Sequence, residues 1–316
     1  MKAVPIGLGV ALPKKCLQNA DLPHELNTSD EWIIQRTGIR QRYLAEGEET
    51  TASLATEAAR KALADARVSP QDVDLIIVGT VTGDYTFPST ASMVQKNLGV
   101  TRGVAFDVSA ACSGFVFALD IADFYIRQQR ANTALVIGAE TFSRILDWTD
   151  RTTSILFGDG AGALLLRAQD ETNRGVDFCR IYSDGRFSEY LMTTGGISTT
   201  GNAGFVVMSG REVFRFAIEK FCEALNELLA ANDMKINDVD LLVPHQANIR
   251  IIHKLIEISG IDEKKVVINV DKYANTSAAS IPLALNDARE AFFSGGNTVL
   301  LSMGAGFTWG SALIRL

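Results

Sequence analysis

Short, uniformly apolar runs alternate along this chain with longer stretches whose apolar positions recur at helical spacing. The apolar runs predict strands at 74–81 (VDLIIVGTV without its first residue), 104–110, 133–140, 161–168, 240–246, 266–271, 298–306 and 311–316. Helical periodicity predicts helices at 51–66, 113–129, 211–232, 249–259 and 278–293. Strands apolar at nearly every position are covered on both faces, and their alternation with helices predicts an α/β fold with largely parallel sheets.

The pattern also repeats. VDLIIVGT begins at Val73 and VDLLVPHQ at Val239; NTALVIG begins at Asn132 and NTVLLSMG at Asn297. Two helix starts of similar composition, AACSGFVFALD and YANTSAASIPLAL, lie between these pairs. Landmarks that keep their order and nearly their spacing suggest two copies of one α/β unit, divided at the polar stretch QDETNRG near 170–175. The length of 316 residues fits two domains or one large double-layered one.

Composition narrows the function classes. A net charge of -7 argues against bulk binding to nucleic acid but leaves room for a local basic patch facing an acidic partner. No apolar run reaches the roughly 18 to 20 residues of a membrane span. The N-terminal MKAVPIGLGVALPKK has signal-peptide character but no clear cleavage site, and ALPKK reads as a turn after a strand. Cys16, Cys112, Cys179 and Cys222 are far apart and form no C-x-x-C, which fits a reducing cytoplasm better than a disulfide or zinc framework.

Three residues at predicted strand ends stand out. Cys112 begins a helix that is apolar on nearly every face, where unpaired backbone N–H groups and the positive dipole end favour thiolate. A dipole worth up to ~2 kcal/mol would bring such a thiol from about 8.5 to about 7. The plain alternative is a buried structural thiol. His245, in VPHQANIR, follows a strand, whereas His24 and His253 read as surface helix residues. Asn275, in NTSAAS, is as good an N-cap as a functional amide. The glycine-rich FGDGAG and GAGFTWG are not phosphate-binding fingerprints, although GAGF could bring backbone N–H groups close to a carbonyl. If equivalent strand ends converge on a pseudo-twofold axis, Cys112, His245 and Asn275 meet.

Taken in order, the motifs resemble the thiolase superfamily, most closely the β-ketoacyl-acyl-carrier-protein synthase III family, the initiating condensing enzymes of type II fatty-acid synthesis. The resemblance runs through TSDEWIIQRTGIRQR (28–42), TFPSTASMVQKNLG (86–99), AFDVSAACSGF (105–115), ILFGDGAGALLL (155–166), LLVPHQANIRII (241–252), NTSAASIPLAL (275–285) and GAGFTWGSALIR (304–315). It implies a thiolase-like α/β fold, with duplicated α/β halves at 1–171 and 172–316 and mixed five-stranded sheets in α-β-α-β-α layers. It implies a Cys112–His245–Asn275 triad, and an oxyanion hole from the backbone N–H groups of Cys112 and Ala305. Trp32, Arg36, Arg151, Gly210 and Asn248 are implied to bind CoA, Phe87 to limit the acyl pocket across a homodimer interface, and Gln246 and Arg250 to meet the acyl-carrier protein. Arg211, Arg215 and Lys254 are candidates to extend that basic patch. The implied substrates are an acyl-CoA and malonyl-carrier protein, with no cofactor, metal, nucleic acid or membrane, in the cytoplasm. Ala305 departs from the family's usual glycine, which matters only if that position needs a positive φ. The intact triad disfavours a non-catalytic relative; a related condensing enzyme of secondary metabolism stays open.

Overall fold

The computed structural model describes residues 1–170 and 172–316. Strand β1 (Lys2–Ala11) opens the chain, and a hairpin of β2 (Lys15–Gln18) and β3 (Gln41–Leu44) brackets helix α1 (Asp30–Thr37). There follow α2 (Thr51–Ala66), β4 (Leu75–Gly79), α3 (Thr90–Leu98), β5 (Val104–Val108), α4 (Gly114–Arg127), β6 (Thr133–Glu140) and β7 (Gly160–Gln169). Next come β8 (Gly175–Ser183), a small hairpin of β9 (Leu191–Thr193) with β10 (Val206–Met208), α5 (Gly210–Ala231), β11 (Leu241–Pro244) and α6 (Ile249–Ser259). The chain closes with α7 (Val270–Tyr273), α8 (Ser280–Asp287), α9 (Arg289–Ser294), β12 (Asn297–Gly304) and β13 (Thr308–Arg315).

The repeat seen in the sequence is a repeat of topology. The first sheet runs β1-β7-β6-β4-β5, with β7 antiparallel to β1 and β6, and β4 parallel to β6 and β5. The second runs β8-β13-β12-β11, with β13 antiparallel to β8 and β12, and β11 parallel to β12. Where a counterpart of β5 is expected, the second sheet has a single parallel bridge from Leu242 to Val266. The strand expected at 266–271 is shortened because the Gln246 amide takes over its backbone. That amide donates to Val267 O at 3.0 Å and accepts from Asn269 N–H at 2.9 Å, and α7 begins at the next residue. The helix expected over 278–293 is likewise broken, into a 3-10 turn at Ser277–Ala279, then α8 and α9. The first sheet ends with β7 at Gln169 and the second begins with β8 at Gly175. The boundary expected after Glu171 lies outside the described residues.

Five layers result. Helices α2 and α3 cover the outer face of the first sheet through Ala55, Ala59, Ala62 and Val94. Helices α5 and α6 cover the second through Phe221, Leu225, Ile252 and Leu255. Between the sheets, α4 and α8 bury Phe115, Leu119, Ile281 and Leu285 in one cluster with β4 and β6 on one side and β11, β12 and β13 on the other. Strand β6 is buried at every position, as its unbroken apolar pattern requires. The two sheets therefore share one core, and a change in that shared layer is felt by both. Phe115, fully buried there, supplies the test. Phe115→Ala is expected to cost about 3–5 kcal/mol in chemical denaturation; a loss under ~1 kcal/mol would contradict a common core.

Candidate active site

The strand ends of both sheets converge at the middle layer. After β5 the chain turns through Ala110 to Ser113 before α4 begins at Gly114, and Cys112 lies in that turn. In the other half Asn275 precedes the equivalent turn into α8, and His245 directly follows β11. The end of β12 closes the site. A Cβ on Gly304 would sit 2.7 Å from the Cys112 nitrogen and 3.1 Å from the Ser113 nitrogen, so no other residue fits. The Ser113 hydroxyl donates to Thr308 O at 3.0 Å, and the Thr308 hydroxyl donates to Ala110 O at 2.9 Å, tying β13 to the same turn.

Cys112, His245, Asn275 and Ala305 line one cavity of about 500 Å³. Its walls are largely apolar, including Phe142, Phe157, Leu191, Val206 and Phe214, and Gly210 and Asn248, at the starts of α5 and α6, also line it. Phe142 and Phe157 stack with ring centroids 4.3 Å apart.

Hydrogen bonds fix both polar partners. The Asn275 amide oxygen accepts from Ser277 N–H at 2.8 Å, which leaves its NH₂ to donate into the cavity. Its backbone is clamped from Leu156 O and Gly158 N–H. Nδ1 of His245 lies 2.5 Å from the Ser280 hydroxyl. Gln246 N–H donates to that same hydroxyl oxygen at 3.4 Å; a hydroxyl proton given to Nδ1 would leave the ring proton on Nε2. Burial lowers His245 to about 3, so the ring is neutral at physiological pH.

Cys112 departs from expectation. Burial pushes its thiol up to about 12, the reverse of a drop to about 7; the Ser277 hydroxyl offsets part of this and the Glu140 charge adds to it. The physical reason is that Cys112 is 5% exposed and sits in a turn ahead of α4, near the Glu140 charge. Desolvation outweighs the helix dipole. Ala305 behaves as hoped: its φ is not positive, the positive value falling on Gly306, so alanine carries no backbone strain.

The remaining expected residues are more dispersed. In α1, Trp32 carries the Arg36 guanidinium 4.6 Å and the Arg151 guanidinium 5.5 Å from its ring centroid. Asn248 donates to Arg36 O at 3.2 Å, joining α1 to the cavity end. Phe87 does not line the cavity of its own chain and is 84% exposed. Arg250 is exposed on α6, over the Phe214 ring, with Arg211 and Arg215 exposed on α5; Lys254 pairs with Glu257 at 2.7 Å. Gln246 is a correction. It is 1% exposed, with its amide spent on Pro244 O, Val267 O and Asn269 N–H, so it positions the 266–269 segment and has no surface to offer a carrier protein. Three residues of the site escaped sequence reasoning: Ser277, Ser280 and Glu140. Only Glu140 left a signal, as the one charge in the apolar strand TALVIGAE.

A Cys, a neutral His and an Asn that meet in one cavity of a duplicated α/β fold define the class of thiolase-fold condensing enzymes, and comparison with known proteins bears on this directly. The family model for 3-oxoacyl-[acyl-carrier-protein (ACP)] synthase III matches residues 106–185, and that for its C-terminal part residues 229–316. The β-ketoacyl-[acyl-carrier-protein] synthase III of Rhizorhabdus wittichii is 52% identical over 316 residues, covering 99% of each chain. The crystal structure of 3-oxoacyl-[acyl-carrier-protein] synthase III from Aquifex aeolicus VF5 superposes with a TM-score of 0.94 at 45% identity, over 99% of this chain and 100% of that one. The priming β-ketosynthase from the R1128 polyketide biosynthetic pathway follows at 0.93 and 32%, over 99% and 96%. The chain belongs to the β-ketoacyl-acyl-carrier-protein synthase III family. It is an initiating condensing enzyme of fatty-acid synthesis, an acyltransferase that uses acyl-CoA and malonyl-carrier protein and needs no cofactor. Among the described residues no helix is long and apolar enough to cross a membrane.

The buried His245 gives a pH test. Unfolded, the imidazole takes a proton near 6.5; folded, only near 3. Between those values the unfolded chain binds more protons, so stability rises with pH across the window and is lost on acidification. In His245→Gln the dependence of denaturation midpoint on pH from 6.5 toward 3 is expected to flatten; an unchanged slope would contradict a neutral buried ring.

Proposed function

We propose that Cys112, His245 and Asn275 divide the condensation between them. The observation that carries the reading is that all three, from three separate segments of the chain, line one cavity in the order of the family's motifs. Cys112 attacks the thioester of a short acyl-CoA such as acetyl-CoA and keeps the acyl group while CoA leaves. The N–H groups of Cys112 and Ala305 receive the developing oxyanion, a role supported by the contact of Gly304 with the Cys112 turn. Malonyl-carrier protein then enters. Nε2–H of His245 and the Asn275 NH₂ donate to its thioester carbonyl as carbon dioxide departs, and the resulting enolate carbon attacks the acyl-cysteine. Neutral donors suit a charge that exists only in the transition state and after it.

CoA lies along the cavity, with its pantetheine between Gly210 and Asn248 and its adenine taken up by Trp32 and Arg151, Arg36 lying beside the phosphates. The open stack of both guanidinium groups on Trp32 supports this. Arg250, with Arg211, Arg215 and Lys254, offers positive charge to an acidic carrier protein despite the net charge of -7. The chain acts as a homodimer in the cytoplasm. Phe87, too exposed for a lone protomer, reaches from its loop into the partner's acyl pocket. The two halves, 1–171 and 172–316, are copies of one unit that keep distinct jobs, nucleophile in the first and carbonyl donors in the second.

Purified protein given acetyl-CoA and malonyl-carrier protein is expected to release carbon dioxide and a β-ketoacyl-carrier protein; absence of both overturns the reading. Cys112→Ser is expected to abolish acylation, whereas His245→Ala and Asn275→Ala still acylate and stall at decarboxylation, by a factor of roughly 10² or more each. Intact-protein mass spectrometry reads the acyl-enzyme, and an unacylated His245→Ala enzyme would sink the division of roles.

A further inference from the structure

Ser277 is fully buried with a left-handed backbone, φ 52°, a region that disfavours every side chain and suits glycine. A serine kept in such a conformation points to a use for its hydroxyl. Its N–H donates to the Asn275 amide oxygen at 2.8 Å. Its hydroxyl donates to Glu140, in the other half of the molecule, at 3.1 Å. Glu140 is a charged side chain that the condensation does not use. It ends β6 and is fully buried. A carboxyl tolerates such burial when it is well bonded. Glu140 also accepts from Val81 N–H at 3.2 Å, from the Thr80 hydroxyl at 3.2 Å and from the Thr82 hydroxyl, all on the loop after β4. That loop is itself secured, since the Thr82 hydroxyl accepts from Thr141 N–H at 2.9 Å and the Thr51 hydroxyl of α2 donates to Thr82 O at 2.6 Å. Glu140 is therefore the fixed end of a chain of bonds that runs through Ser277 to Asn275.

We propose that Glu140 and Ser277 are positioning residues for the decarboxylation step: Glu140 tethers the Ser277 hydroxyl, and the tethered turn holds the Asn275 amide with its NH₂ toward the malonyl thioester carbonyl. The inference rests on the reading of Asn275 as a donor to that carbonyl.

The geometry leaves the amide as the one part of Asn275 still to be set. Its main chain is held by bonds to Leu156 O and from Gly158 N–H. An amide can turn over and present its oxygen where its NH₂ should be, which would repel a developing enolate oxygen. Ser277 N–H prevents this by occupying the Asn275 oxygen. Neither Ser277 nor Glu140 lines the cavity, whereas Asn275 does. His245 has its own partner in Ser280, so the tether bears on Asn275 and not on the imidazole. The tether needs an acceptor rather than a charge. Burial raises Glu140 to about 7, and one carboxyl oxygen accepts from a hydroxyl whether or not the other carries a proton.

The decisive experiment measures the two half-reactions apart in the full chain. Acylation by acetyl-CoA is followed by intact-protein mass spectrometry, and condensation by mixing acetyl-enzyme with malonyl-carrier protein in a single turnover. Ser277→Ala leaves Glu140 its three other partners. It is expected to slow condensation about 10-fold or more while acylation stays within about threefold of wild type. Ser277→Gly suits the left-handed backbone but has no hydroxyl, and is expected to lose as much; wild-type condensation there would show that backbone conformation alone suffices and would overturn the tether. Glu140→Ala is expected to match the Ser277 variants, and Glu140→Gln, whose amide oxygen still accepts from Ser277, to recover most of the loss. If Glu140→Ala does not fold, the Ser277 variants and Glu140→Gln decide, and a Glu140→Gln enzyme as slow in condensation as Ser277→Ala overturns the tether. The pair Asn275→Ala and Ser277→Ala separates positioning from general damage. In the Asn275→Ala background, Ser277→Ala is expected to cost condensation less than about a further twofold, because its effect passes through the missing amide. An undiminished further loss there, equal slowing of both half-reactions, or unchanged condensation in Ser277→Ala overturns the positioning role. Wild-type condensation by Asn275→Ala alone instead overturns the donor role of Asn275.

Discussion

Where the end of β12 meets the turn carrying Cys112, there is no room for a single side-chain carbon. Gly304 packs its backbone against the backbone nitrogens of Cys112 and Ser113, and this contact sets what the rest of the molecule must do. It brings the last strand of the second sheet to the nucleophile of the first half. The next residue, Ala305, lines the same cavity as Cys112. A duplicated fold is an economical way to reach this geometry, since equivalent strand ends approach one another around the internal twofold relation. The shared layer of α4 and α8 then holds the two ends at fixed separation through close packing.

The polar groups of the site are arranged by the same convergence. Neighbouring polar groups fix these side chains. The Ser280 hydroxyl lies 2.5 Å from His245 Nδ1, Ser277 N–H holds the Asn275 amide oxygen, and Glu140, from the other half, accepts from the Ser277 hydroxyl. Burial determines the protonation of all three titratable groups, and in each case it favours the neutral form: a thiol, an imidazole and a carboxyl poised near neutrality. A dry, neutral site suits chemistry whose charge appears only as the reaction proceeds.

Much of this was legible in the chain. Helix α2 and helix α6 occupy the residues that their periodicity predicts, and β6 does the same, because caps and unbroken apolar runs are local signals. Strand β8 was missed: its residues GVDFCRIYS mix charge with apolar groups, and its pairing with β13 is a long-range fact. The run VVINVD looked like a strand and is a bridge followed by a helical turn, because a side chain, Gln246, satisfies its backbone. That same amide, which the resemblance implies meets the carrier protein, is buried. The triad residues could be named from motif order, but their tuning could not. NTSAAS reads as an ordinary N-cap stretch, and nothing in the spacing of Cys112 and Glu140 reveals that the buried carboxylate adds to the rise of the thiol. The direction of the thiol shift was misjudged for that reason, since a helix dipole is visible in a sequence and desolvation is not.

The central claim is that two separate sets of donors serve two carbonyls, backbone N–H groups for the acyl-cysteine and His245 with Asn275 for the malonyl thioester. It is tested most directly by a crystal structure of the acetylated enzyme with a malonyl thioester analogue that cannot decarboxylate. The expected result puts the acetyl oxygen within hydrogen-bonding distance of the Cys112 and Ala305 nitrogens, and the analogue's thioester oxygen on His245 Nε2 and Asn275 Nδ2. An acetyl oxygen bound by His245 or Asn275, or a thioester oxygen bound by neither, would contradict it.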